Sequence, residues 1–180
     1  MVRRLLELRP ELVLSVSCTT RDPRPGEVDG RDYRFISPEL FDQLIEKGEF
    51  LEWAEIYGHH RSGTLLAPVL QEIDEGKNVI LEIDVQGGAA VRQRMPEEVL
   101  IFLAPPSDGE LERRLRARRT ESEPELERRL AAARSEMDQR SWFDHVVVND
   151  DVDRAAAEVA AIIDAASGAS GKVSRTVPSL

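Results

Sequence analysis

The chain has 180 residues, with 34 Asp plus Glu against 24 Lys plus Arg and a formal net charge of -10. That length suits one domain with room for an insert, and 41% hydrophobic residues beside 32% charged ones exclude wholesale disorder. The acid excess argues against a duplex-binding surface, the single cysteine, Cys18, excludes an internal disulfide, and three histidines are too few for a Cys/His zinc site. No apolar run approaches the roughly 18 residues that span a bilayer, so a soluble, cytoplasmic protein is expected, with no membrane or nucleic-acid partner. Lys47, Lys77 and Lys172 are the only lysines, which leaves 21 arginines. Arg suits bidentate grips on phosphate and carboxylate, although codon bias in a GC-rich genome is the preferred account of the ratio taken alone.

In chain order, the pattern predicts a helix over residues 3–8, a buried strand over 12–16, short segments over 33–36 and 50–54, and helices over 38–47 and 67–75. Apolar, Val- and Ile-rich strands follow at 79–83, 99–103 and 146–148. A long Arg/Glu-rich helical run over 108–140 and a helix over 152–166 complete the chain. Strands alternating with helices predict an α/β fold with a parallel sheet and helices on both faces. Residues 16–78 break that rhythm at Pro23, Pro25, Gly26, Gly30 and Gly58 and read as an insert. The expected division is a core from 1–15, 79–107 and 141–166, an insert over 16–78, a lid over 108–140 and a disordered Ser/Gly-rich tail over 167–180.

Residues 15–33 read SVSCTTRDPRPGEVDGRDY and place hydroxyls, two spaced arginines and a tyrosine on one loop after a strand. Open α/β sheets bind ligands at the carboxyl ends of their strands. Arg21 and Arg24, held apart by Pro23, are spaced to close on one phosphate, with Tyr33 as a neutral donor; two solvated arginines on a loop are the plain alternative. Glu82 and Asp84 alternate at the end of a strand, and two acids on one face are costly unless they meet a cation or a donor-rich ligand. Eight arginines lie between Arg113 and Arg134, and most are accounted for by i,i+4 pairing with glutamates on a helix.

The run SVSCTTRDPRPGEVDGRDYRF over 15–35, then FLEWAE over 50–55, LEIDVQG over 81–87, FLAPPS over 102–107 and VVNDD over 147–151 resemble guanylate kinases in order and approximate spacing. The resemblance covers about residues 2–166. It implies a P-loop nucleoside-monophosphate-kinase-like fold with a GMP-binding insert and a helical lid. The activity implied is transfer of the terminal phosphoryl of ATP to GMP, with Mg2+ brought by ATP rather than held by direct protein ligands. Ser17 and Glu52 match positions that hydrogen-bond guanine, Asp84 a further guanine-side carboxylate, and Arg21, Arg24 and Tyr33 the grip on the GMP phosphate. Glu82 matches an acid facing the magnesium and phosphate region. Arg114, Arg118 and Arg129 match lid arginines that reach the phosphates of both nucleotides. Asn149 matches a residue on the adenine side, and an ordinary helix cap before residues 150–151 is the alternative.

The resemblance is imperfect in three places. At 58–64 the sequence reads GHHRSGT where relatives have a tyrosine pair, so Ser62 takes a phosphate-contacting position, Arg61 offers compensating charge, and His59 and His60 read as loop surface. Ala117 and Arg119 replace glycines of the lid turn. The motif Gly-x-x-x-x-Gly-Lys-[Ser/Thr] is absent, and the look-alike over 168–172 lacks its first glycine and its hydroxyl. In the related fold that loop follows the central strand of a sheet ordered 2-3-1-4-5. The expectation is therefore a sheet with its central strand missing, a chain that folds poorly and does not turn over, and a natural protein that extends upstream of Met1. A catalytically dead binding module and a truncated gene product are the competing readings.

Overall fold

The chain is described here from a computed structural model that covers residues 1–56, 60–117, 123–169 and 175–178. The elements are α1 (Val2–Leu8), β1 (Val13–Leu14), β2 (Cys18–Thr19), β3 (Arg34–Phe35), α2 (Pro38–Glu46), β4 (Phe50–Ile56), β5 (His60–Leu65), α3 (Leu66–Asp74), β6 (Val79–Ile83), α4 (Val85–Arg94), β7 (Val99–Ala104), α5 (Asp108–Ala117), α6 (Glu123–Asp138), a short 3-10 turn (Gln139–Trp142), β8 (His145–Val148), α7 (Val152–Ala169) and β9 (Arg175–Pro178). Alternation along the main-sheet strands sorts their side chains into two layers. Ile80, Ile101 and Val147 pack with Leu5 of α1 and with Ala155, Val159 and Ile163 of α7. Val79, Leu81 and Ile83 pack with Leu51, Val69 of α3 and Val91 of α4, while Leu100, Phe102 and Ala104 meet Val85 and Phe143. Strands buried on both faces explain the near-continuous apolar runs that marked them in the sequence.

The five-stranded sheet has the order β1-β6-β9-β7-β8, and every pairing in it is parallel. Its central place is filled by β9, from the very segment expected to be a disordered tail. Arg175 and Thr176 pair on one side with Ile80 and Leu81 and on the other with Val99 and Leu100; Val177 and Pro178 continue along β6 opposite Glu82 and Ile83. Contrary to the expected gap, the central slot of the sheet is occupied; of residues 167–180, those described form the end of α7 through Ala169 and β9. The physical reason is the demand of two buried strand edges, whose unpaired amides and carbonyls would each cost about 1–3 kcal/mol.

Residues 16–78 form a second, four-stranded sheet ordered β3-β2-β5-β4, in which β2–β5 and β4–β5 are antiparallel and β2–β3 is parallel. Ser37 caps α2 by accepting from the Leu40 amide at 3.2 Å, and Phe41 stacks on Phe50 with ring centroids 4.4 Å apart. The helix α4, which the sequence pattern did not predict, joins the two sheets: it follows β6 and the Arg94 guanidinium donates to the Phe50 carbonyl of β4. The single run expected over 108–140 divides into α5, α6 and the 3-10 turn.

Candidate active site

Because the main sheet is wholly parallel, the loops after β1, β6, β7 and β8 leave its carboxyl edge together, and they carry Ser17, Asp84, the approach to α5 and Asn149. Asp84 caps α4, its Oδ1 accepting from the Gly87 amide at 2.7 Å. That cap holds it at the rim while Glu82, one pleat earlier, is exposed beside buried Leu81 and Ile83.

Glu52 reaches the same rim from the insert. It is 6% exposed, on a strand whose neighbours Leu51 and Ala54 are also buried. Thr64 is its cross-strand partner, and Ser17 precedes Cys18, which pairs with Gly63. Burial pushes the Glu52 carboxyl up to about 7; Thr64 opposes that shift and Asp84 adds to it. Thr64 approaches that carboxyl with both its hydroxyl and its backbone, although its buried Oγ1 has no regular hydrogen-bond partner among the described residues. A buried acid beside a buried hydroxyl that lacks a regular partner among the described residues forms a surface suited to donors from outside. Sequence reasoning singled out Glu52 and missed Thr64, whose only signal is a register visible once the hairpin is formed.

The residues expected from the sequence to face a phosphate are arranged differently. Arg21 grips Glu27 bidentately, with Nη2 and Nη1 at 2.6 and 2.7 Å from the two carboxylate oxygens, and its guanidinium carbon sits 4.8 Å from the centre of the Tyr33 ring. The Arg21 hydrogen bonds hold the Glu27 carboxyl below the usual range, and the Arg24 amide adds to this with a bond of 2.7 Å. The Arg24 side chain is exposed. Ser62 donates to the Cys18 carbonyl at 3.2 Å. Arg61 is committed to α2, donating to Asp42 and to the Pro38 carbonyl and lying over Phe41.

On the lid side, Arg114 donates to Glu110 at 2.7 Å, and Arg113 with Arg114 pulls that carboxyl down to about 2. Arg118 and Arg119 lie outside the described residues, as does His59; His60 opens β5. Glu136 of α6, two helical turns from Arg129, is a residue the sequence reading missed. Burial pushes its carboxyl up to about 7, with Asp84 adding and Arg129 opposing. The α6 face bearing Arg129 and Glu136 is therefore electrostatically coupled to the rim at Asp84. Across the sheet, the Asn149 amide donates to the Ala104 carbonyl at 2.7 Å, while its buried Oδ1 has no partner among the described residues. The helix cap falls to Asp151, whose Oδ1 accepts from the Arg154 amide at 2.9 Å, which leaves the Asn149 side chain uncommitted to capping.

A parallel α/β sheet with an inserted second sheet and a helical pair beyond its carboxyl edge defines the nucleoside monophosphate kinase class of fold. The guanylate kinase family profile matches residues 1–166. The chain is 54% identical over 163 residues to a guanylate kinase of Rhodococcus jostii, covering 90% of this chain and 79% of that one. It is 54% identical over 162 residues to one of Nocardia farcinica, covering 89% and 84%. A crystal structure of guanylate kinase from Anaplasma phagocytophilum superposes with a TM-score of 0.78 at 35% identity, covering 91% of this chain and 79% of that chain. The chain belongs to the guanylate kinase family.

Proposed function

We propose that the chain binds GMP with its base between β4, β5 and the first turn of α4, and that its site serves ATP-dependent phosphorylation of GMP to GDP. The observation that carries this reading is the buried Glu52 carboxyl facing Thr64 and Asp84. Guanine offers N1-H and an exocyclic amine as adjacent donors, which one carboxylate accepts together, whereas adenine has no such pair on that edge. Ser17 and Asp84 add acceptors around the base.

Arg21, Arg24 and Tyr33 hold the monophosphate, Arg21 by exchanging Glu27 for it. Arg114, Arg118 and Arg129 close over the phosphates and spread positive charge where negative charge develops on the transferring group. Asn149 contacts the adenine side of ATP. Glu82 is exposed near the carboxyl end of β6. That exposed carboxylate fits a magnesium ion that keeps its waters and its nucleotide phosphates, which Glu82 would meet through the hydration shell. The ion would supply charge neutralisation at the phosphates.

The 180 residues contain no Gly-x-x-x-x-Gly-Lys-[Ser/Thr], so this chain alone is expected to bind GMP without turning it over. Calorimetric titration with GMP and AMP at about pH 8, where Glu52 is ionised, tests the reading. Binding of GMP at least about tenfold tighter than AMP supports it. Equal affinity for the two would overturn it.

A further inference from the structure

Two adjacent glycines open α4, and they are not equivalent. A Cβ built on Gly87 would stand 2.8 Å from Glu52 Oε2, 3.2 Å from the Ile83 Cβ and 3.3 Å from Asp84 Oδ1. A Cβ on Gly88 would meet nothing nearer than the Trp142 ring at 3.5 Å, an ordinary contact. Both glycines are buried, and Gly87 also supplies the amide that Asp84 accepts at 2.7 Å. The bare face of Gly87 is thus the floor on which the Glu52 carboxylate rests, level with the second carboxylate of the rim.

We propose that Gly87 is a positioning residue for guanine selectivity: by lacking a side chain it seats Glu52 Oε2 against the first turn of α4, so that both oxygens lie in the plane of an incoming base. The inference rests on the reading of Glu52 given above. A bidentate acceptor needs both oxygens placed to within a fraction of an ångström, because donor–acceptor distances beyond about 3.2 Å forfeit the bond. A methyl group on Gly87 cannot move away, since Ile83 and Asp84 close the other two sides. The mobile partner is the end of the Glu52 side chain, and its displacement tips one oxygen out of reach of the exocyclic amine.

The test compares Gly87→Ala, Gly88→Ala and the double variant Gly87→Ala with Glu52→Asp in the full chain. GMP and IMP, which lacks the exocyclic amine, are titrated calorimetrically. Gly87→Ala is expected to weaken GMP at least about tenfold while IMP changes less than about threefold, which narrows the GMP-over-IMP ratio. Gly88→Ala is expected to stay within about twofold of the parent for both ligands. The shorter aspartate leaves room for the methyl, so the double variant is expected to regain the melting temperature that Gly87→Ala loses, while its retracted carboxylate binds GMP weakly. Should Gly87→Ala fail to fold, a double variant that folds still supports the contact; failure of both places the clash elsewhere and overturns the inference. Parental GMP and IMP affinities in Gly87→Ala, or an equal loss in Gly88→Ala, overturn it while leaving the reading of Glu52 intact. A parent chain without preference for GMP over AMP overturns that reading and this inference with it.

Discussion

The halves of the site proposed to face the base and the phosphate pose opposite electrostatic problems. On the proposed base side, Glu52 and Thr64 are buried and Thr64 Oγ1 has no regular partner among the described residues, so the protein carries a desolvation cost that a proton on Glu52 or a ligand with donors relieves. On the proposed phosphate side, Arg21 is bidentate with Glu27 and Arg114 is held by Glu110, so a phosphate bound there would have to displace carboxylates that already satisfy the arginines. The comparison teaches that selectivity and grip are separable. The base pocket gains in full when guanine arrives, whereas the arginines gain only the difference between a phosphate and a carboxylate.

A lesion in the frame shared by both halves should have the largest effect. Thr176→Pro removes an amide from the central strand, and a loss of about 3 kcal/mol or more is expected, lowering the melting temperature by roughly 6–12 °C. GMP and guanosine should weaken together, because β6 carries Asp84 and the seat of α4. An unchanged melting temperature would remove β9 from the centre of the sheet.

Glu52→Gln comes next. It replaces one acceptor oxygen by a donor that faces the guanine donors, and GMP and guanosine should each weaken about a hundredfold, roughly 3 kcal/mol. Equal affinity in the variant would end the distinction between the two halves. Arg21→Ala should cost GMP about tenfold while leaving guanosine within about twofold, since it acts only through the phosphate. If guanosine fell as much as GMP, the loop would be shaping the base pocket. Ser62→Ala, whose hydroxyl is engaged by the Cys18 carbonyl, is expected to change GMP binding by less than about threefold.

Stability should follow pH in a way that reports the same asymmetry. A carboxyl raised from about 4.5 to about 7 binds more protons folded than unfolded, so its contribution to stability declines as pH rises across that interval. Glu27 and Glu110, held low by arginines, act in the other sense: their contribution is present above their unfolded values and is lost as the solution becomes more acidic. Thermal unfolding between about pH 5 and pH 8 should therefore decline less steeply in Glu52→Gln than in the parent.

Much of this was legible in the sequence because it resides in local pattern. The strands at 79–83 and 99–103, the capped helix after Ser37, and the order of the motifs around Arg21, Glu52, Asp84 and Asn149 are set by neighbours along the chain. What escaped was set by neighbours in space. Thr64 matters only through its register against Glu52, and Glu136 only because α6 lies near Asp84. The helix α4 was hidden by Gly87 and Gly88, which lower helix propensity, and the first of them is required by a side chain from another sheet. The strand β9 has no periodicity of its own and ends in a proline; it is a strand because β6 and β7 flank it. The same contrast accounts for Ser62 and Arg61, whose motif positions suggested phosphate contacts and whose nearest partners are the Cys18 carbonyl and Asp42.

The central claim is that an ionised, buried Glu52 reads the base. Guanosine, which has no phosphate to titrate, isolates it: its affinity for the parent chain, measured by calorimetry across about pH 5.5 to 8, should fall about tenfold per unit below the Glu52 value of about 7 and level off above it, while Glu52→Gln should show weak, pH-independent binding. Parental affinity that is flat across that range, or a variant that keeps the parental pH dependence, would contradict the account.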